Sequence, residues 1–211
     1  MAGHDRAGEE DTMSLDLREQ KSVLRRQIRD NLRSLLPAER SSASAGACFR
    51  LQQEPVWREA RCVLLYSPLP DELDLRALLA QALAAGKMLA LPRFDETQGA
   101  YSACQVADPA SDLRTARFGI LEPGPDCPAL PLNRLDFVAV PGVGFTLDGR
   151  RLGRGRGFYD RMLASVGGIK CGIAFDQQIV SDIPVEPHDV RLDYILTPTR
   201  WCHAGRGAVL K

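Results

Sequence analysis

At 211 residues, with 45% apolar and 26% charged side chains, the chain has the composition of an ordinary folded protein and not of a disordered one. Its 27 Lys and Arg balance its 27 Asp and Glu, which excludes a protein that coats nucleic acid or another polyanion, because such binding needs a basic excess. A local basic site for a small anion stays open.

The opening MAGHDRAGEEDTM is polar and acidic, with no apolar core, so residues 1–13 read as a disordered leader and not as a signal peptide. Residues 14–211 then read as one α/β domain. Ser14 suits an N-cap, and Leu17, Leu24, Ile28, Leu32 and Leu35 recur at helical spacing, predicting a helix that ends at Leu36 before Pro37. A second, small-residue helix is predicted from Ala38 to Gln52. Beyond Pro55 short apolar runs alternate with helical stretches. The runs are Cys62–Tyr66, Met88–Leu91, Phe137–Val140, Lys170–Phe175 and Tyr194–Leu196, with Tyr101–Val106 as an extra strand. Helices are predicted over Leu75–Ala85 and from Phe158. Strands apolar on both faces and separated by helices predict a mainly parallel sheet covered on both sides.

In such a sheet ligands bind beyond the carboxyl ends of the strands. The loops expected there are 67–72, 92–94, 141–160, 175–176 and 197–199. The densest signal is the run Arg151-Leu152-Gly153-Arg154-Gly155-Arg156-Gly157-Phe158-Tyr159-Asp160. Alternate glycines let the backbone approach a ligand, the arginines offer bidentate cations, and the helix that follows offers its N–H groups to an anion. A flexible basic turn, or an RNA-binding Arg-Gly segment, is the competing reading. The spacing is neither that of a Walker A loop nor that of a dinucleotide fingerprint.

Lys21 and Arg25, one turn apart on the first helix, are either snorkelling over apolar surface or a pair of phosphate ligands. Asp71 and Glu72 after the first strand are either turn residues or acids that hold a polar ring. Among the acids near strand ends, Asp160 beside the glycine loop is the best candidate for a magnesium bound to phosphates. The six cysteines lack metal or disulfide spacing and read as buried free thiols in a reducing cytoplasm. No Ser-His-Asp or Cys-His arrangement fits the three histidines. No apolar run is long enough to cross a bilayer.

The run RLGRGRGFYDR, preceded by VPGVGF, resembles the signature of the 5-formyltetrahydrofolate cyclo-ligase family. The early Lys21-x-x-x-Arg25, the Asp-Glu after a strand, LPR at 91–93 and EPHD before the last strand carry the resemblance from about Lys21 to Thr197. It implies a three-layer α/β/α sandwich similar to sugar-phosphate isomerases and coenzyme A transferases. It also implies ATP-dependent closure of 5-formyltetrahydrofolate to 5,10-methenyltetrahydrofolate, with Mg2+ as cofactor and ATP as co-substrate. Carried over by residue, Lys21, Arg25 and the run Arg151, Leu152, Gly153, Arg154, Gly155, Arg156, Gly157, Phe158 and Tyr159 match ATP contacts. Arg154, Arg156 and Tyr159 match catalytic positions. Ser67, Glu72, Phe118, Phe158 and Tyr159 match the folate pocket, and Asp160 and Asp189 match magnesium positions. Phe158 departs from the family's usual Tyr, losing a hydroxyl and keeping an aromatic face. The implied partners are small molecules, with no nucleic acid and no membrane, for a cytoplasmic monomer. An isomerase or transferase of the related fold, or a non-catalytic nucleotide-binding module, remains the alternative.

Overall fold

A computed structural model describes the backbone over residues 6–116 and 119–205, and side chains from Asp16 onward. Phe118 lies outside the described residues. In chain order come α1 (Arg6–Arg33), α2 (Pro37–Gln53), α3 (Pro55–Glu59), β1 (Cys62–Leu64), α4 (Arg76–Ala84), β2 (Met88–Asp95) and β3 (Ala100–Gln105). Next are α5 (Pro109–Asp112), β4 (Leu113–Thr115), β5 (Leu121–Pro123), β6 (Ala129–Leu130), β7 (Phe137–Val140), β8 (Gly144–Phe145) and β9 (Arg151–Leu152). The chain ends in α6 (Phe158–Leu163), β10 (Ile169–Ile173), β11 (Tyr194–Leu196) and β12 (Trp201–His203).

The helix starts earlier than the Ser14 cap suggests, at Arg6, and stops earlier too, at Arg33. The early stop follows from Pro37. A residue before proline avoids the helical region, and Leu36 is extended with ψ 154°. Pro37 instead opens α2, where its missing N–H costs nothing. The Glu39 carboxylate accepts the Leu36 N–H at 2.7 Å, so the corner between the helices is closed by its own sequence.

The main sheet has eight strands in the order β12-β11-β10-β7-β1-β2-β3-β6. Strands β11, β10, β7, β1 and β2 run parallel. The antiparallel strands β12, β3 and β6 finish the two edges. Side-chain alternation sorts the core into two layers. Val63, Leu65, Leu89, Leu91, Phe137 and Ala139 face one side, against Ile28 and Leu32 of α1, Leu51 of α2, Trp57 of α3 and Leu78 of α4. Leu64, Ala90, Val138 and Val140 face the other, against Met162 and Leu163 of α6 and Phe145 of β8. Helices on both faces of a mainly parallel sheet make the expected sandwich.

Two small hairpins were not legible in the pattern: β4 with β5, and β8 with β9. The second delivers the glycine loop. Gln178, 1% exposed, fixes its start: its amide nitrogen donates to the Gly142 and Val143 carbonyls at 2.8 and 3.1 Å. Gly149 turns the hairpin with φ +91°, and its carbonyl accepts the Leu192 N–H at 2.9 Å.

Candidate active site

The loops after β1 and β7, with the outer half of β2, enclose a cavity of about 570 Å³. Its lining combines the acid Glu72, the loop cations Arg151, Arg154 and Arg156, and the aromatics Tyr66, Phe94, Tyr101, Phe158 and Tyr159. Ser67, Gly153, Gly157 and Asp160 also line it. The cavity therefore lies beyond the carboxyl ends of the strands, between the expected loops 67–72 and 141–160.

Two of the other expected loops do not contribute. Segments 175–176 and 197–199 bind each other, since the Thr197 and Thr199 hydroxyls donate to Asp176 Oδ1 at 2.7 and 2.6 Å. That pairing leaves them to brace the end of the sheet beside α2, where Arg50 Nε donates to the Pro198 carbonyl. Residues 92–94 do reach the pocket, but as part of β2 and not as a loop, because β3 pairs with β2 as far as Asp95.

The glycine loop crosses the pocket through Arg154. Its Nη2 donates to Asp71 Oδ1 at 2.6 Å and to Glu72 Oε1 at 2.9 Å, joining residues more than 80 positions apart. Burial works against the Arg154 cation, but Asp71 and Glu72 outweigh it and hold its pKa above the ordinary arginine value. Burial likewise pushes the Glu72 carboxyl above its ordinary range, while Arg154 and the Leu69 N–H pull the other way. The turn reading of the acids after β1 is the one the contacts bear out. Glu72 closes a turn by accepting the Leu69 N–H at 3.0 Å, and it also faces the cavity.

Arg151 is buried, with 4% of its side chain exposed, and pairs with Asp160 at 2.8 Å. Its Nε is a buried donor with no partner in the protein, and its guanidinium lies 5.7 Å from the Tyr159 ring centre. Burial raises the Tyr159 pKa well above the ordinary phenol value. Phe158 packs on Phe94 and Tyr101 at 4.8 and 6.0 Å, and Tyr159 on Tyr101 at 5.5 Å. Phe158 thus belongs to an aromatic cluster on the cavity wall, a packing role that needs no hydroxyl.

Leu152, matched above to an ATP contact, puts its side chain into the core at 1% exposure. As an apolar residue paired with Gly144 in β9, it is a structural neighbour of the loop rather than a pocket wall. For Lys21 the snorkelling reading fails, and its cation is already paired within the protein. It is 6% exposed, and its Nζ donates to Glu186 and Asp189, each at 2.7 Å. Arg25 lies against the glycine loop, donating from Nε to the Gly153 carbonyl at 2.8 Å. Burial lowers the Arg25 pKa, reinforced by Arg29.

Asp160 lies against the segment that carries Asp189. The Val190 N–H, next to Asp189, points at Asp160 Oδ1 from 3.4 Å. Asp189 Oδ2 is taken by Lys21 and the Glu186 N–H. Among the described residues Glu186, His188 and Asp189 bring three ligand atoms within 4.8 Å of one another. Glu186, Phe94, Tyr101 and the pocket acid Glu122 escaped the sequence reading as site residues. An acid three before Asp189 and an aromatic after LPR were the only visible signals.

The covered parallel sheet and the pocket of loop cations, buried acid and aromatics define an α/β protein with a charged, aromatic-lined cavity at the carboxyl ends of its strands. The family model described as 5-formyltetrahydrofolate cyclo-ligase matches residues 17–198. The chain belongs to that family, a family of ligases. It is 34% identical over 177 residues to the 5-formyltetrahydrofolate cyclo-ligase of Escherichia coli K12, covering 82% of this chain and 97% of that one. The Mus musculus cyclo-ligase is 27% identical over 187 residues, covering 83% and 92%. The NMR structure of Aquifex aeolicus 5,10-methenyltetrahydrofolate synthetase superposes with a TM-score of 0.80 at 33% identity, over 90% of this chain and 96% of that one. The Mycoplasma pneumoniae synthetase, at 22% identity and a TM-score of 0.68, shares the fold.

Proposed function

We propose that this protein closes 5-formyltetrahydrofolate to 5,10-methenyltetrahydrofolate at the expense of ATP, releasing ADP and phosphate. The observation that carries the reading is the meeting, in one cavity, of a glycine loop bearing Arg154 with a buried acid, Glu72. In this reading Glu72 accepts hydrogen bonds from the pterin ring, Ser67 lines the same end, and Phe158 and Tyr159 cover the rings. Phe118 is assigned to the same wall by resemblance alone. The phosphates are taken by the loop cations Arg154 and Arg156, with Arg25 and the backbone of residues 151–159 around them. Arg151 acts behind them, aligning Asp160. Lys21 acts on phosphate only if Glu186 and Asp189 release part of their hold.

The formyl oxygen attacks the γ-phosphorus as the bond to ADP breaks. N10 then attacks the activated carbon, phosphate departs with the former formyl oxygen, and N10 loses its proton. Phosphoryl transfer of this kind needs positioning and charge neutralisation more than an acid–base residue, which agrees with a pocket of arginines and no histidine among its described lining. Tyr159, held in its protonated form by burial, is a donor for the oxygen that accumulates charge. The donor set fits magnesium, which takes one or two carboxylates and completes its shell with water and phosphate. Asp160 keeps Oδ1 outside its pair with Arg151, and Asp189 keeps Oδ1 outside its pair with Lys21, with His188 Nε2 3.9 Å from that oxygen. Bound there, the cation would neutralise phosphate charge.

Incubation with 5-formyltetrahydrofolate and Mg-ATP, followed by methenyl absorbance and ADP release, tests the reading. Product is expected only with nucleotide, one ADP per ring closed; turnover of folate without ATP overturns it. Arg154→Ala is expected to lose on the order of 2–4 kcal/mol in kcat/KM, and near-normal kinetics would move the phosphate site elsewhere.

A further inference from the structure

Both contacts of the Arg154 side chain use a single nitrogen. Nη2 donates to Asp71 Oδ1 and to Glu72 Oε1, and a guanidinium Nη carries two hydrogens. The donors on Nη1 and Nε therefore remain for another anion. The two carboxylates differ in what can reach them. Glu72 is 6% exposed and lines the cavity, with its second oxygen held by the Leu69 N–H. Asp71 is 34% exposed and is not part of the cavity wall. A ligand in the pocket can take Glu72 Oε1 away from Arg154 without touching Asp71.

Resting on the reading above, in which the pterin binds Glu72 and phosphate binds Arg154, we propose that Asp71 is a positioning residue for Arg154. It keeps the cation over the pocket at the stage when Glu72 has passed to the folate. In the empty pocket Glu72 and Asp71 share this task, so either one suffices. Once folate is bound, Asp71 alone remains. The hold matters because the loop backbone is tied beside Arg154 only through the Arg25 contact to the Gly153 carbonyl: Arg154 stands between Gly153 and Gly155, the latter at φ +100°, and glycine restricts its neighbours least.

The proposal makes nucleotide binding depend on Asp71 only when folate is present. The test is calorimetric titration of magnesium with a non-hydrolysable ATP analogue into the full chain, with and without saturating 5-formyltetrahydrofolate. Wild type, Asp71→Asn and Asp71→Glu are compared. For Asp71→Asn, folate-free nucleotide affinity is expected within about threefold of wild type, and affinity in the folate complex about tenfold weaker, a coupling of ordinary size. Asp71→Glu should restore most of the loss, and folate affinity should be unchanged in both variants. A merely structural role would weaken both titrations equally, so equal loss overturns the proposal, as does no loss in either. Wild-type protein that binds neither ligand overturns the functional reading, and this inference with it; wild type that binds both while Asp71→Asn shows no selective loss overturns this inference alone.

Discussion

Glu72 carries the pH dependence of the site. Burial raises its pKa, so its proton is held more tightly in the folded chain than in the unfolded one. The sign follows: the stability it contributes is fully present below the ordinary glutamate pKa and is lost as pH rises through the raised folded value. Ligand binding runs the opposite way, because ring N–H donors need the ionised acceptor. Folate affinity is therefore expected to rise with pH just above the ordinary carboxylate range, and Glu72→Gln should bind folate weakly with no such limb. Calorimetry across pH 4–8 checks it, and a parallel limb in the Gln variant would assign the titration to another group. Lys21 bears on stability through its ion pairs. Its removal leaves Glu186 and Asp189 facing each other without a cation, and both acids keep some water, at 23% and 17% exposure. Lys21→Ala is expected to cost roughly 2–3 kcal/mol, below the full cost of breaking a buried pair. Chemical denaturation of the unliganded chain measures it, and unchanged stability would return Lys21 to the role of a free phosphate ligand.

Among the elements, the β8–β9 hairpin decides where the glycine loop points. At Gly149, φ is +91° and an added Cβ would lie 2.4 Å from the Leu192 carbonyl oxygen. Gly149→Ala is thus both conformationally strained and obstructed by backbone. It should cost about 1–3 kcal/mol or more and raise the KM for nucleotide, since the loop it aims begins at Arg151. Steady-state kinetics beside thermal unfolding would reveal it, and an unaffected KM would separate the hairpin from the site. The strands that the pattern made visible are those buried on both faces, such as Phe137–Val140, where every residue is apolar and buried. The hairpins escaped because their two- and three-residue strands are neither continuous apolar runs nor long enough to show a period.

For the whole molecule, the six cysteines read from the sequence as inert thiols are free and buried. Burial pushes the Cys48 thiol up to about 11, reinforced by Asp74, and raises Cys62, Cys104, Cys171 and Cys202. Reaction depends on the thiolate, so a disulfide reagent at neutral pH should label the native chain slowly and all six thiols after denaturation. Rapid native labelling of even one would contradict the packing around it. Among the described residues no helix is long and apolar enough to cross a membrane.

The amino-acid order by itself determined the alternation of strands and helices, the parallel sheet and the glycine-arginine run, because periodicity, proline and glycine act locally along the chain. It also made Glu72 and Arg154 visible as members of one family signature. Only the tertiary structure decided that they touch, that Asp71 shares the contact, that Lys21 is neutralised by two acids, and that Leu152 belongs to the core. Each of these depends on residues brought together from distant parts of the chain by the sheet order, and charge pairing across such distances leaves no period in a sequence. The strand crossovers put the loops after β1 and β7 side by side, and burial there chose which cations stay free for a ligand and which are spent on the protein itself.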